Sequence, residues 1–267
     1  MTSTSTAFAR ARSEGRAALI GYLPAGYPSV EGSIRAMRTM VEAGCDAIEI
    51  GLPYSDPVMD GPTIQAAAQA ALDGGVRTAD VMRVVEGVAE TGVPTLVMTY
   101  WNPVERYGVE RFATDLAGAG GAGLITPDIT PDHGSAWIAA ADEHDLDKVF
   151  LVAPSSTDAR IAMTARESRG FVYAAAVMGV TGAREATSDL AGPLVGRVRA
   201  AGDVPVAVGI GVSNGDQAAE VAAFADGVIV GSAFVRCLLD HEGDEAAGLE
   251  ALRSLTADLA EGVRRAG

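Results

Sequence analysis

Residues 48–65, IEIGLPYSDPVMDGPTIQ, contain the two side chains best suited to chemistry, Glu49 and Asp60. Side chains alternate faces along an extended segment, so Ile48 and Ile50 point one way and Glu49 the other, between Ala47 and Gly51. Both faces read as apolar, which puts a carboxylate inside a buried strand. Without a partner, such a group costs several kcal/mol or takes up a proton, and a sequence that places it there usually uses it. Asp60 follows eleven residues later, across a loop and ahead of the alanine-rich run AAAQAAL. Each acid has a plainer alternative: Asp60 precedes Gly61-Pro62 and could cap a helix, and Glu49 could be a structural acid tied to backbone amides.

Other chemistries are limited by what the chain lacks. Its one lysine, Lys148, falls at the start of the fifth apolar run, away from the strand ends, so no amine is available for a Schiff base. His133, His144 and His241 lie on helical or terminal segments and read as solvated. A metal site would then rest on carboxylates alone, which disfavours a zinc aldolase, and no metal is expected. Cys45 and Cys237 are far apart, lack metal-like spacing, and read as reduced, buried, small apolar residues. Acid–base catalysis by carboxylates remains.

Eight short apolar runs set the frame: residues 17–23, 47–52, 95–99, 123–126, 148–152, 172–177, 204–209 and 227–230. Between them lie longer segments such as SIRAMRTMVEAG, with apolar residues three and four apart and a glycine near the end. Eight strand–helix units with strands apolar on both faces predict a parallel sheet closed into a (β/α)8 TIM barrel, with a doubly wound open sheet as the alternative. No composition break divides residues 1–267, so one domain is expected. Extra helices are expected after strand 2, after strand 8 and at the N-terminus, where residues 1–16 should lie under the barrel.

Active sites of such barrels lie at the C-terminal ends of the strands. That rule brings Tyr22, Glu49, Asp60 and Asp128 to one mouth, although Asp128, in Thr126-Pro127-Asp128, could be only a turn residue. Glycines follow strands 6, 7 and 8, as Gly179-Val180-Thr181-Gly182, Gly209-Ile210-Gly211 and Gly231-Ser232. Free backbone amides and a helix dipole there can hold a phosphate. The chain is long enough for a large core, at 267 residues and 48% hydrophobic. Its formal net charge of -15 argues against nucleic acid and anionic membrane surfaces as partners. The polar start and the lack of any apolar run of spanning length predict a cytoplasmic protein.

The stretch Glu49-Ile-Gly-Leu-Pro-Tyr-Ser-Asp-Pro-Val-Met-Asp60-Gly-Pro-Thr-Ile-Gln65 resembles the signature of the tryptophan synthase alpha subunit family, with both acids in register. The resemblance covers nearly the whole chain. It implies retro-aldol cleavage of indole-3-glycerol phosphate, with Glu49 and Asp60 catalytic and Tyr22, Tyr100, Asp128, Tyr173 and Thr181 around the substrate. The tyrosines and Asp128 could equally be ordinary rim residues. It carries phosphate contacts onto Gly182, Gly211, Gly231 and Ser232. The family's loop usually reads R-A-G-V-T-G, whereas this chain has Val177-Met178-Gly179-Val180-Thr181-Gly182, so the arginine is absent. Tyr22 and Tyr54 stand where phenylalanine is frequent. The resemblance further implies docking on a tryptophan synthase beta subunit, as an alpha2-beta2 complex, through Pro53, Asp56 and Asn102, with pyridoxal phosphate in that subunit and no cofactor here. A sugar-phosphate isomerase and a non-catalytic scaffold subunit are the competing functions.

Overall fold

The computed structural model describes residues 3–175 and 184–265, without side-chain detail for 184–189. Eight parallel strands close in sequence order. They are β1 (Ala18–Pro24), β2 (Ala47–Gly51), β3 (Thr95–Met98), β4 (Gly123–Thr126), β5 (Asp147–Val152), β6 (Val172–Ala175), β7 (Val206–Gly209) and β8 (Gly227–Val230). Around them run α1 (Thr4–Ser13), α2 (Val30–Ala43), α3 (Pro62–Asp73), α4 (Thr78–Ala89), α5 (Trp101–Tyr107), α6 (Val109–Gly118), α7 (Ser135–Glu143), α8 (Asp158–Glu167), α9 (Arg184–Ala201), α10 (Gly215–Ala222), α11 (Ser232–Leu239) and α12 (Glu245–Arg264). β8 pairs back onto β1, with Ile20 opposite Ile229, so no edge is left open.

The strands form because their residues are buried on both faces. One set of side chains, including Ile20, Leu96, Ile125, Val149 and Ile229, fills the barrel, and the other packs under the helices. Helix ends carry local stop and start signals. Ser29 caps α2 by accepting the Gly32 N–H at 2.9 Å, and Gly44 ends that helix.

The N-terminal helix lies beneath the barrel but is shorter than its sixteen-residue reading. Phe8 enters the interior cluster and stacks at 5.3 Å from Phe171. Asp147, at the first position of β5 and fully buried, accepts the Thr4 N–H at 2.8 Å and the Thr4 hydroxyl at 2.6 Å. A strand end thereby caps a helix remote in sequence. Asp46, just before β2, is bonded by Arg10 and Arg16, each at 2.6 Å, and adds a second tie.

Extra helices stand after β2 and β8 as expected, and another, α5, follows β3. Pro103 is the third residue of that helix. The first turn tolerates proline because its N–H groups have no helical acceptor. Cys45 is buried and Cys237 only half-buried. His133 is in a turn rather than a helix, and exposed. Among the described residues, no helix is long and apolar enough to cross a membrane.

Candidate active site

Glu49 is the central residue of β2, in register with Tyr22 of β1 and Leu96 of β3. It is 0% exposed, and neither carboxyl oxygen has a hydrogen-bond partner. Burial pushes its pKa from 4.5 up to about 8, with no donor or cation to offset the loss of water. At neutral pH the side chain therefore carries a proton.

Asp60 comes one residue before Gly61, the N-cap of α3, so it is not the cap of that helix. Its backbone carbonyl accepts from Gln65 Nε2 at 2.7 Å, which fixes the turn and leaves the carboxyl for the mouth. Burial raises its pKa, and the Tyr100 hydroxyl beside it offsets part of the rise. The two acids face common space. Tyr22 and Tyr173, both pushed above their ordinary pKa first by burial, also feel the negative charges of Glu49 and Asp60.

The tyrosines lie flat across the strand ends because glycine is beside each. A Cβ at Gly51 would overlap the Tyr22 hydroxyl, and one at Gly209 the Tyr173 hydroxyl. Gly51, inside the motif, was read only as a neighbour of Glu49. Its close approach to Tyr22 depends on the β1–β2 register, which a single sequence does not give.

Tyr100 comes from the end of β3 and reaches under the loop that carries Asp60. Its hydroxyl accepts the Met59 N–H at 3.0 Å, and its ring packs 5.4 Å from Tyr54. Asn102 donates to the Tyr54 hydroxyl at 3.1 Å from the other side. Asp128 is at the mouth and exposed, but its carboxylate is engaged by the Trp101 N–H, at 2.9 and 3.1 Å to its two oxygens. That partner escaped the sequence reading. The signal was a helix beginning at Trp101 with no capping side chain of its own.

On the opposite rim, Gly231 is the N-cap of α11 and Ser232 its first residue. Gly211 and Ser213 follow β7, and together with Ser232 and Arg236 they line a cavity of about 270 Å³. Arg236 puts a cation near these glycines, where the sequence reading had counted on backbone alone. Thr181 and Gly182 lie outside the described residues.

The loop between β2 and α3 projects Val58 (80% exposed) and Met59 (44% exposed). Asp56 and Asn102 are open, on an open depression shared with Tyr54, Pro103 and Arg106. Pro53, expected to contact the partner, is buried within the loop. Among the described residues, no three His, Cys, Asp or Glu side chains are grouped to hold a metal ion.

A carboxylic acid held protonated at the mouth of a closed parallel barrel, with a second acid on the adjoining loop, marks the class: a (β/α)8-barrel enzyme equipped for acid–base chemistry. The family described as "Tryptophan synthase alpha chain" matches residues 8–264. A tryptophan synthase alpha chain of Salinispora arenicola is 62% identical over 99% of this chain and 98% of its own length, and one of Nocardia farcinica is 61% identical over 97% and 95%. A solved chain of Mycobacterium tuberculosis tryptophan synthase superposes with a TM-score of 0.92 at 57% identity, covering 99% of both chains. The chain belongs to the tryptophan synthase alpha chain family. The reaction of that family is the retro-aldol cleavage of indole-3-glycerol phosphate to indole and glyceraldehyde 3-phosphate, with the indole passed to a beta subunit in tryptophan biosynthesis.

Proposed function

We propose that Glu49 and Asp60 carry this cleavage in the present chain, which makes it a carbon–carbon lyase. The observation that supports the reading most is the unpartnered, fully buried Glu49 carboxyl. Protonated at neutral pH, it gives its proton to C3 of the indole ring. The positive charge that appears on the ring nitrogen is stabilised by ionised Asp60, which accepts the indole N–H. Glu49, now a carboxylate, takes the proton of the hydroxyl on the neighbouring side-chain carbon. That carbon becomes a carbonyl, the electron pair of the breaking bond returns to the ring, and indole and glyceraldehyde 3-phosphate leave with Glu49 protonated again.

Tyr22, Tyr100 and Tyr173 wall the substrate, and Thr181, which follows β6 in the sequence, joins them. The phosphate is held at Gly182, Gly211, Gly231 and Ser232, where the free N–H groups at the start of α11 supply the positive end that a chain of net charge -15 otherwise lacks. No cofactor enters these steps. Residues 1–267 act as one cytoplasmic domain, and pyridoxal phosphate belongs to the beta subunit of an alpha2-beta2 complex.

Asp56 and Asn102, with the exposed Val58 and Met59, form the docking face for that subunit. Because Asp60 is on the same loop, docking also sets the acid in place.

The test is indole release from indole-3-glycerol phosphate by the purified chain, with and without a tryptophan synthase beta subunit, alongside Asp60→Asn. Release that rises with the partner and vanishes in the variant is expected. No indole in either condition would remove the retro-aldol reading and favour sugar-phosphate isomerisation.

A further inference from the structure

Asp128 approaches no described catalytic group directly, yet it is coupled to one. Its carboxylate accepts the Trp101 N–H with both oxygens, at 2.9 and 3.1 Å. Trp101 is the first residue of α5, whose N-cap position, Tyr100, offers no side-chain acceptor. Asp128 therefore does for α5 what a capping side chain normally does, from another strand's loop. The residue fixed by this contact is Tyr100, and its hydroxyl accepts the Met59 N–H at 3.0 Å and stands beside the Asp60 carboxyl. A continuous line runs from the end of β4, through the start of α5, to the loop that holds the second acid.

We infer that Asp128 is a positioning residue for Asp60, acting through the Trp101 amide and the Tyr100 hydroxyl, and not a ligand of the substrate. The inference rests on the role of Asp60 proposed above. Three observations favour it over substrate contact. Both carboxylate oxygens already accept the Trp101 amide, as in a helix cap. Asp128 is exposed, whereas Glu49, Tyr22 and Tyr100 are buried. A free carboxylate would also repel a phosphorylated substrate.

Tyr22 from β1, Tyr173 from β6 and Tyr100 feel the charge of Asp60, and Tyr22 and Tyr173 also that of Glu49 from β2. Of these, the Tyr100 hydroxyl is the one that lowers the Asp60 pKa. Loosening α5 withdraws that hydroxyl, so Asp60 should hold its proton to higher pH.

The experiment compares wild type, Asp128→Ala, Asp128→Asn and Tyr100→Phe in complex with the beta subunit. It measures kcat and KM for indole-3-glycerol phosphate across pH, and follows the Asp60 carboxyl by NMR titration in the isolated chain. Asparagine keeps an oxygen that can accept the Trp101 N–H, whereas alanine does not. Asp128→Ala should lower kcat about 10- to 100-fold, leave KM within about threefold, and move the acid limb and the Asp60 titration to higher pH. Asp128→Asn should recover most of the rate, and Asp128→Ala should add little in the Tyr100→Phe background. If Asp128→Asn is as damaging as Asp128→Ala and raises KM, Asp128 binds substrate through its charge and the inference is wrong. An unmoved acid limb and Asp60 titration in Asp128→Ala would overturn it as well. Wild type that releases no indole would instead sink the catalytic reading, and the Asp60 titration would still judge the contact line.

Discussion

Glu49 and Asp60 have opposite needs, and their surroundings supply them. Glu49 has no donor within reach and is protonated at neutral pH. Asp60 has the Tyr100 hydroxyl and keeps more of its charge. With Glu49 as the proton donor and Asp60 as the anion, kcat/KM should be bell-shaped. The alkaline limb should fall near pH 8, where Glu49 loses its proton, and the acid limb above the ordinary carboxylate value of about 4, because burial raises Asp60. Glu49→Gln keeps the shape and cannot transfer a proton, so turnover should drop about 100-fold or more with substrate binding retained. Parallel turnover and equilibrium-binding measurements check this, and a near-normal rate would remove Glu49 from the mechanism.

At the scale of elements, the mouth is only as fixed as the parts that hold it. The loop between β2 and α3 is tied near its α3 end, by Gln65 at Asp60 and by Tyr100 at Met59. The far end of the barrel is closed by α1, which Asp147 caps and Phe8 anchors against Phe171. Phe8→Ala removes a ring from the interior cluster and leaves a cavity that the strands cannot collapse to fill. It should cost about 3–5 kcal/mol, read as a lower denaturant midpoint in equilibrium unfolding. The site is at the opposite end, so kcat of the folded fraction should change little. A shift under about 1 kcal/mol would mean that α1 is a loose cover and not part of the core.

For the whole molecule, two buried acids give stability opposite slopes with pH. At Asp46 burial alone would raise the pKa, but hydrogen bonds from Arg16, the Leu19 N–H and Arg10 outweigh it and the net pKa is depressed. Its stabilisation is present above the ordinary carboxylate value of about 4 and is lost as pH falls through the lower folded value. Glu49 is raised, so the folded state holds its proton longer than the unfolded chain does. Its contribution is complete below 4.5 and is lost as pH rises through about 8, on the order of 5 kcal/mol in all. Melting temperature should therefore decline from the acid side toward pH 8 by a component that Glu49→Gln abolishes. Identical pH profiles for the two proteins would mean that the carboxyl is hydrated or paired in solution.

Much of this was readable along the chain. Eight doubly apolar runs imply a parallel barrel because only strands covered on both sides carry that pattern, and period-2 alternation put Glu49 inside before any contact was known. The motif from Glu49 to Gln65 carried the proposed chemistry because its residues are local to one strand and one loop. What the linear order could not supply were relations between segments remote in sequence. Tyr22 against Gly51, Asp128 on the Trp101 amide, Asp147 on the start of α1 and the burial of Pro53 all depend on strand register and helix placement. Those follow from closing the sheet, where the packing of all eight strands fixes which side chains meet. The bond of Asp128 to the Trp101 amide and the short helix α5 therefore became visible only once the barrel was closed.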